Sequence, residues 1–385
     1  DDDVLPKTQE GFAFRFLGLL GLEDPIRPEV PMAMKDCERA GIRVIMITGD
    51  FPATARSIGT QAGMNTGSML TGRELDAMSD SELQKQITGV NIFARVVPEQ
   101  KLRIVRALAA NHEIVAMTGD GVNDAPALKA AHIGIAMGKK GTDVAREASS
   151  LVLLDDNFAS IVTAVRLGRR IYDNLQKAMS YIMAIHVPII GLTLLPAFFP
   201  FLPVLLMPLH IVFMELIIDP VCSIAFEWER EEKAIMDRPP RPPDKKFFGI
   251  EKISFSLAQG TLLFLTTAIV YILSYREGHN DNEVRAIAFS SLIIGNLFLI
   301  LTDLSRTRHF TSVLLEKNKP LMLILSGALT SLLLTLAVPS LRVIFNFEIP
   351  AYIHFIPSLI GAIAVLVILE LVKYVRNRKT SSVPD

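Results

Sequence analysis

The residues whose types and spacing point most directly to chemistry lie in residues 117–126, which read MTGDGVNDAP. Asp120 and Asp124 are four residues apart, with Asn123 between them, and they follow the apolar run EIVA. Carboxylate and amide oxygens are ligands that suit a hard ion such as Mg²⁺, which usually binds through one or two carboxylates plus a substrate phosphate. We therefore expect Mg²⁺ and a phosphate-bearing substrate at this segment.

A second Thr-Gly-Asp tripeptide, residues 48–50, follows the apolar run VIMI, just as residues 118–120 follow IVAM. Each copy puts a hydroxyl, a permissive backbone and a carboxylate at the end of a predicted strand, before a helix N-terminus that favours phosphate. A single copy is also typical of a turn with a helix cap, so the prediction depends on the repetition.

Lys101, in RVVPEQK, begins a predicted helix directly after another apolar run. An ammonium group at this position would stabilise the charge on a transferring phosphoryl group. The alternative is an ordinary solvated lysine on a helix surface.

Short apolar runs alternate with amphipathic stretches through this part of the chain. This alternation predicts a parallel sheet with helices on its faces, in which ligands bind beyond the carboxyl ends of the strands. The runs predicted as strands are RFLGLLGL, IRVIMI, NIFARV, EIVAM, IGIAM and LVLL.

The rest of the sequence alternates long apolar runs with short basic segments. A membrane-spanning helix needs roughly 20 predominantly apolar residues, and several runs in succession meet that requirement, which is not typical of core helices in a soluble protein. We therefore predict a soluble domain over residues 1–165 and a six-helix transmembrane domain over residues 166–385. The predicted spans are about 176–198, 202–226, 253–275, 285–304, 320–343 and 352–374.

Lys and Arg are concentrated in the connections after the second and fourth spans and in the tail KYVRNRKT, whereas the connection PAFFPFLP is uncharged. Because cytoplasmic connections carry an excess of basic residues, we expect the soluble domain and both chain ends to be cytoplasmic. Residues 157–183 contain no Pro and repeat apolar residues at helical spacing. This pattern predicts one helix that runs from the soluble domain into the membrane and couples the two mechanically.

Polar residues inside a predicted span are costly and are candidates for function. Glu215 and Asp219 in the second span are separated by one helical turn, which puts both carboxylates on one face. Pro220 removes a backbone donor and should free carbonyl oxygens for a hard cation. His186, in the first span, is either a hydrogen-bonded packing residue or a ligand or proton carrier.

Charge and cysteine content exclude two classes of function. The formal net charge of −1 gives no concentrated basic surface, so we expect no nucleic-acid partner. Cys37 and Cys222 are too far apart in sequence to form a cysteine-rich metal motif or a disulfide framework. The chain opens with three aspartates rather than an initiator Met or a signal peptide, so we expect it to be the C-terminal part of a longer protein.

Several motifs occur in a fixed order: DPIRP, MITGD, ARVVPEQK, the long block 117–158, the predicted spans and IMDRPPRPP. In this order they resemble the P-type cation-transporting ATPases, most closely the calcium-pump-like class, over nearly the whole chain. The resemblance implies ATP-driven transport of a cation, most of all a divalent one such as calcium, through an aspartyl-phosphate intermediate. It also implies ATP and Mg²⁺ as cofactors. The implied partners are the transported cation, ATP, the lipid bilayer and the N-terminal pump domains, and the implied location is the plasma membrane.

The resemblance further implies that residues 11–165 are the second part of a Rossmann-like α/β phosphorylation domain of haloacid-dehalogenase type. In that family the residue matching Asp120 holds Mg²⁺, Lys101 matches a contact to the phosphoryl group, and Asn123 and Asp124 match residues that shape the site. Nucleotide or phosphate contacts match Thr48, Gly49, Asp50 and Arg95, and hinge residues match Asp24 and Arg27.

The sequence also departs from the family. It contains no Asp-Lys-Thr-Gly-Thr motif, which carries the phosphorylated aspartate of the family, so we expect this chain to be inactive alone. Calcium pumps carry Asn-x-x-Thr-Asp where this chain has Glu215, Ile218 and Asp219. Calcium pumps also carry an Asn and a Glu as ligands in the first span, where this chain has His186 and Ile189. They carry a Glu in the fourth span, where this chain has Asn296.

These departures leave the transported ion open. The choices are a single divalent-cation site, a proton path through Glu215 and Asp219, or another cation. A membrane-anchored phosphatase and a catalytically incomplete or regulatory membrane protein are the alternatives outside transport.

Overall fold

The computed structural model describes residues 8, 10, 12, 14–18, 20–21, 25–215, 224–316 and 318–381, with side chains as far as residue 378. The described residues divide into two compact units. The first contains those up to Lys35 together with Val44–Ala159, and the second contains Asp36–Arg43 together with those from Ser160 onward.

The first unit is an α/β structure whose described strands form two three-stranded parallel sheets. In one sheet the order is β1-β3-β2, with Met46 opposite Ile92 and Leu70 opposite Phe93. In the other the order is β4-β5-β6. The strands are β1 (Met46–Ile47), β2 (Met69–Thr71), β3 (Ile92–Ala94), β4 (Ala116–Gly119), β5 (Ile133–Met137) and β6 (Leu151–Leu153).

Helices separate these strands, as parallel connections require. They are α1 (Val30–Arg39), which begins in the first unit and ends in the second, α2 (Pro52–Gln61), α3 (Gly72–Ala77), α4 (Asp80–Gln86), α5 (Pro98–Ala110), α6 (Ala125–Ala130) and α7 (Asp143–Glu147). The predicted fold class, a haloacid-dehalogenase-type α/β domain followed by a helical region, is confirmed.

The core of the α/β unit lies between β3 and the helices on either side of it in sequence. Phe93 of β3, Leu83 of α4 and Ile104 of α5 are fully buried and belong to one apolar cluster. Burying a side chain of this size contributes about 1.5–3 kcal/mol, so this cluster fixes the strand ends from which the polar loops emerge.

One predicted strand does not form. The stretch RFLGLLGL covers residues 15–22. Residues 14–18 and 20–21 have no strand partner among the described residues. The side chains of Phe14, Phe16 and Leu17 are also largely exposed there. An apolar run forms a strand only where another strand accepts its hydrogen bonds, and the prediction was wrong because the pattern does not contain that partner.

A single 41-residue helix, α8 (Phe158–Phe198), opens the helical region. At 1.5 Å per residue it is about 62 Å long, and it keeps its helical path through Pro188 and Pro196. The prediction of one continuous helix through residues 157–183 is confirmed from Phe158 onward.

Five helices in the described part of the chain are long and apolar enough to cross a membrane. Within the second predicted span, 202–226, the structure has the short α9 (Pro208–Phe213), and residues 216–223 lie outside the described residues. The remaining helices are α10 (Ile250–Arg276), α11 (Asp281–Asp303), α12 (Phe310–Leu315), α13 (Lys319–Ala337), α14 (Pro339–Phe345) and α15 (Ile356–Ser381).

A buried ion pair holds three segments of the helical region together. Lys177 of α8 donates to Glu232 at 2.6 Å, and the two side chains are only 1% and 9% exposed. The carboxylate of Glu232 also accepts the backbone N–H of Arg306 at 2.9 Å and the hydroxyl of Thr307 at 2.6 Å. Glu232 therefore joins α8 to the turn that follows α11.

The pKa of Glu232 reflects this environment. Burial opposes ionisation, but Lys177 and the donors from Thr307 and Arg306 outweigh it and lower the pKa of Glu232 from 4.5 to about 2. Because the folded pKa is depressed, the stability that this group contributes is complete above pH 4.5 and is lost as the pH falls toward about 2.

Replacing Lys177 by Met should lower the free energy of unfolding by about 3–5 kcal/mol, because the buried carboxylate of Glu232 loses its cation. Combining Lys177→Met with Glu232→Gln should recover part of the loss, because no uncompensated charge then remains. Thermal or denaturant unfolding in detergent measures both effects, and Lys246→Met, at an exposed position, is the matched control. A Lys177→Met protein as stable as the control would contradict the assignment.

Candidate functional site

The loop after β4 is organised around the carboxylate of Asp124. Its Oδ1 accepts a hydrogen bond from Nζ of Lys101 at 2.7 Å. Its Oδ2 faces the backbone N–H groups of Asp120 and Gly121, each at 3.3 Å. Asp124 thus closes its own loop with one oxygen and positions the ammonium group with the other.

Lys101 reaches this loop from the first turn of α5. Pro98 begins that helix, where a missing N–H costs nothing, and buried Gln100 fixes its start. The side-chain oxygen of Gln100 accepts the N–H of Val97 at 3.0 Å, and its amide nitrogen donates to the carbonyl of Gly72 at 2.9 Å. The Lys101 side chain is 22% exposed, so its ammonium group remains accessible at the mouth of the loop.

Asp120 and Asn123 lie at the exposed surface of the same loop. The carbonyl of Asp120 accepts the N–H of Thr142 at 2.9 Å, which ties the loop to the start of α7. No described residue donates to the carboxylate of Asp120. An exposed carboxylate with no donor in the described part of the chain, in a loop that also holds an amide and a lysine, fits the oxygen ligands that Mg²⁺ takes together with a phosphate.

The other Thr-Gly-Asp tripeptide is closed on itself. The hydroxyl of Thr48 donates to Oδ2 of Asp50 at 2.8 Å and accepts the N–H of Asp50 at 3.1 Å. The carbonyls of both residues accept the backbone N–H groups of Val96 and Arg95, at 3.1 Å and 3.0 Å. The two tripeptides are therefore not equivalent, because only the one at Asp120 leaves its carboxylate without a donor among the described residues.

Arg95 lies beside this first tripeptide in an unusual backbone conformation. Its φ is 55°, in the left-handed region that non-glycine residues seldom adopt. The guanidinium group lies over the ring of Phe51, 4.1 Å from the ring centroid, and Phe51 is 62% exposed. Arg95 and Phe51 together form an exposed cationic and aromatic surface next to Asp50.

The structure thus forms two groups of the predicted residues. Lys101, Asp120 and Asp124 are joined directly, with Asn123 in the same loop, and Thr48, Asp50 and Arg95 are joined through the backbone, with Gly49 between them. Gly49 has no atom within 4 Å of the position that a Cβ would take. Arg27, a predicted hinge residue, donates to the carbonyl of Asp156, and Asp24 lies outside the described residues.

Within the helical region, His186 of α8 faces Glu215. Nε2 of His186 lies 3.5 Å from Oε1 of Glu215, and the two side chains are 42% and 41% exposed. Nδ1 of His186 lies 2.7 Å from the carbonyl of Ile182, which can only accept, so Nδ1 carries a hydrogen. A neutral His186 therefore presents a lone pair to the carboxylate, and the pair needs a shared proton or a cation. Asp219 lies outside the described residues.

Asn296, in the middle of α11, is fully buried. Neither its amide oxygen nor its amide nitrogen forms a hydrogen bond with a described residue. Because an unpaired buried amide is costly, Asn296 is a candidate for a ligand-binding role.

Comparison with known proteins decides the family. A family model described as Cation transporting ATPase, C-terminus, matches residues 203–375, and one described as haloacid dehalogenase-like hydrolase matches residues 2–132. The Calcium-transporting ATPase of Bacillus subtilis is 42% identical over 86% of this chain and 37% of its own length. The Calcium-transporting ATPase 1 of Lactococcus lactis is 37% identical over 94% of this chain and 41% of its own length. The chain belongs to the family of P-type cation-transporting ATPases.

A Probable cation-transporting ATPase F of Mycobacterium tuberculosis, 35% identical over 90% of this chain, is similar over 38% of its own length. This P-type ATPase chain therefore spans between 37% and 41% of the length of these three relatives. The roles of individual site residues stay predictions, which the geometry above makes specific.

Sequence analysis did not identify two further residues of the α/β unit that organise polar loops, Asp156 and Thr142. The carboxylate of Asp156 accepts the backbone N–H groups of Lys139 and Lys140, each at 2.9 Å. The hydrogen bond from Lys139 is the main cause of a lowered pKa of Asp156, so this carboxylate is ionised at neutral pH. Thr142, which holds Asp120, was also missed. The pair of acidic residues in LVLLDDNF was the available signal for Asp156.

Gly119 and Gly49 give a matched test of the loop geometry. A Cβ on Gly119 would lie 2.5 Å from Cβ and 2.9 Å from Oδ2 of Asp124, so Gly119→Ala must displace the carboxylate that holds Lys101. We expect Gly119→Ala to lower the free energy of unfolding by about 1–3 kcal/mol. Gly49→Ala, with open space around the added methyl, should leave stability unchanged. Equal thermal unfolding of both variants would contradict the close approach of Gly119 to Asp124.

Proposed function

We propose that this chain is the C-terminal part of an ATP-driven cation pump that works through an aspartyl-phosphate. The observation that carries the proposal is that one chain combines the Lys101–Asp124 site with an acidic residue, Glu215, facing His186 inside a helical region of membrane-spanning composition. A soluble phosphatase does not require an acidic residue among membrane-spanning helices, and a simple channel does not require a phosphoryl site.

In this proposal the loop after β4 serves the phosphoryl group. Asp120 holds Mg²⁺ through its free carboxylate, and the bound ion neutralises charge on the phosphoryl oxygens. Lys101 stabilises the transferring phosphoryl group, and Asp124 keeps its ammonium group in place at 2.7 Å. Asn123 shapes the same loop.

The first tripeptide serves the nucleotide. Thr48, Gly49 and Asp50 present backbone at an open surface, and Arg95 contributes a positive charge over the ring of Phe51. A planar cation and an exposed ring suit the phosphates and the base of ATP, respectively. In this proposal the aspartate that accepts the phosphoryl group lies outside this chain, which contains no Asp-Lys-Thr-Gly-Thr motif.

The transported ion in this proposal is a divalent cation such as calcium, as the names of the Bacillus subtilis and Lactococcus lactis relatives suggest. Glu215 and Asp219 supply carboxylate oxygens, and the buried, unpaired amide of Asn296 supplies a further oxygen. The second candidate is a proton, because the lone pair of His186 and the carboxylate of Glu215, 3.5 Å apart, form a pair that can share one.

The protein acts in this proposal as a multi-pass protein of the plasma membrane. The α/β unit and both chain ends are cytoplasmic, because the basic connections and the tail KYVRNRKT then lie on the side that favours positive charge. Accessibility of single introduced cysteines to a membrane-impermeant thiol reagent tests this orientation.

Lys101→Met in the complete pump should lower ATP hydrolysis by at least about a hundredfold, because the phosphoryl group loses its stabilising cation. Lys129→Met, at an exposed position of α6, is the matched control and should retain full activity. Hydrolysis is measured as phosphate release in membranes with the same amount of each variant. A Lys101→Met pump as active as the control would remove Lys101 from the phosphoryl site.

Glu215→Gln should abolish ion-stimulated ATP hydrolysis, because the ion loses a charged ligand, whereas Glu231→Gln, at an exposed position, should have no effect. Activation is measured against Ca²⁺, Mn²⁺ and pH in the complete pump. His186→Gln separates the two ions: it should weaken calcium activation only modestly, but it should abolish proton-dependent activity. Unchanged activation in Glu215→Gln would exclude this residue from the ion path.

A further inference from the structure

Three side chains converge at the N-terminal end of α11, and none of them belongs to the groups of residues described above. Glu277 follows the last residue of α10, His279 lies two residues later, and His354 comes from the short 3₁₀ helix Tyr352–Phe355 that precedes α15. The α11 helix has 23 residues, so this end is about 34 Å from the end at Asp303.

One atom of each side chain points to a common centre. Nε2 of His279 lies 3.2 Å from Nδ1 of His354 and 3.5 Å from Oε2 of Glu277, and the third edge, Nδ1 of His354 to Oε2 of Glu277, is 3.6 Å. Ligands placed 2.0–2.1 Å from Zn²⁺ in a tetrahedron are separated by about 3.3–3.4 Å. The three distances therefore match one face of such a tetrahedron, and a tetrahedral ion would take one further ligand, such as water.

A fourth side chain fixes the tautomer of His279. Nδ1 of His279 lies 3.3 Å from Oε2 of Glu283, and a carboxylate can only accept, so Nδ1 carries the hydrogen and Nε2 keeps its lone pair. A carboxylate behind a ligating histidine is the arrangement that orients the ring and strengthens the ligand in zinc sites. Glu283 is itself held in place, because it accepts the N–H of Asn280 at 3.1 Å.

The backbone on both sides of the cluster is anchored. Gly278 has a φ of +84°, a left-handed conformation that ends α10 and turns His279 back toward Glu277. Glu348 accepts the amide of Asn280 at 2.7 Å, and its own N–H donates to the carbonyl of Asn282 at 3.3 Å. These contacts hold the turn between α10 and α11 against the segment that carries His354.

We propose that Glu277, His279 and His354 form a binding site for Zn²⁺, with Glu283 as the residue that orients His279. The metal replaces the hydrogen that otherwise bridges the two imidazoles and fastens the turn between α10 and α11 to the start of α15. The site does not depend on the ion path, because it lies at the α10–α11 turn and uses neither Glu215 nor Asp219. Zn²⁺ here acts as a structural clamp on three membrane-region helices.

The complete pump that contains this chain, purified in detergent and titrated with Zn²⁺ by calorimetry, tests the proposal. We expect one Zn²⁺ per chain, removable by a chelator. His279→Ala and His354→Ala should each weaken binding at least about a hundredfold, and Glu283→Gln should weaken it about 10–100-fold. His309→Ala is the matched control, because His309 also pairs with a glutamate, Glu370, but lies beyond the other end of α11. The same titration with Glu215→Gln should be unchanged, which separates this site from the ion path.

Two further measurements make the result decisive. Co²⁺ in place of Zn²⁺ should give the strong visible absorption of a tetrahedral ion, and this absorption should disappear in His354→Ala. Thermal unfolding with a chelator present shows whether each variant folds. If one variant does not fold, Glu277→Gln and His354→Ala still test the site, because the two residues lie in separate segments of the chain. Zn²⁺ binding that is equally tight in the wild type and in His279→Ala, or no stoichiometric binding by the wild type, would overturn the proposal.

Discussion

The packing of α8 against the turn after α11 depends on a buried ion pair, Lys177 with Glu232. The lysine comes from α8, and the carboxylate lies in the connection after the second predicted span. The turn after α11 supplies further donors to this carboxylate, at Ser305, Arg306 and Thr307. An isolated charge in such a buried place is expensive, so each partner is stable only while the others are in position. This mutual dependence sets how α8, the connection and α11 are arranged, and the polar side chains further along these helices inherit that arrangement.

The same principle operates at the loop after β4 in the α/β unit. Asp124 satisfies its two oxygens with an ammonium group and two backbone N–H groups, and the absence of a side chain on Gly119 leaves room for it. Asp124 holds Lys101, and the neighbouring carboxylate of Asp120 accepts no hydrogen bond from the residues that the structure describes. Asp124 thus organises the loop, whereas Asp120 is available for a ligand, although the two aspartates are only four residues apart.

Much of this was accessible from the sequence. Strand and helix alternation, the apolar runs and the continuous helix through Lys177 follow from local periodicity, and the family follows from motifs in a fixed order. The apolar run around Phe14 was misassigned as a strand, because strand formation requires a partner that no local pattern specifies. The sequence also could not show that the two Thr-Gly-Asp tripeptides differ in their hydrogen bonds. The hydroxyl of Thr48 bonds within its own turn, whereas Asp120 is held by Asp124 and Thr142.

By itself, the sequence determined the fold class, and it identified the candidate residues for Mg²⁺ and phosphate and the acidic residues in the apolar region. Each of these inferences depends on neighbours within a few turns of chain. Only the tertiary structure decided which of these side chains meet. Lys101 and Asp124 are 23 residues apart, and His279 and His354 are 75 residues apart. Such pairs form where helix length, the left-handed turn at Gly278 and the packing of separate helices bring atoms within a few ångströms. Local secondary-structure propensity does not predict those distances, because they are set by contacts between residues that are far apart in sequence.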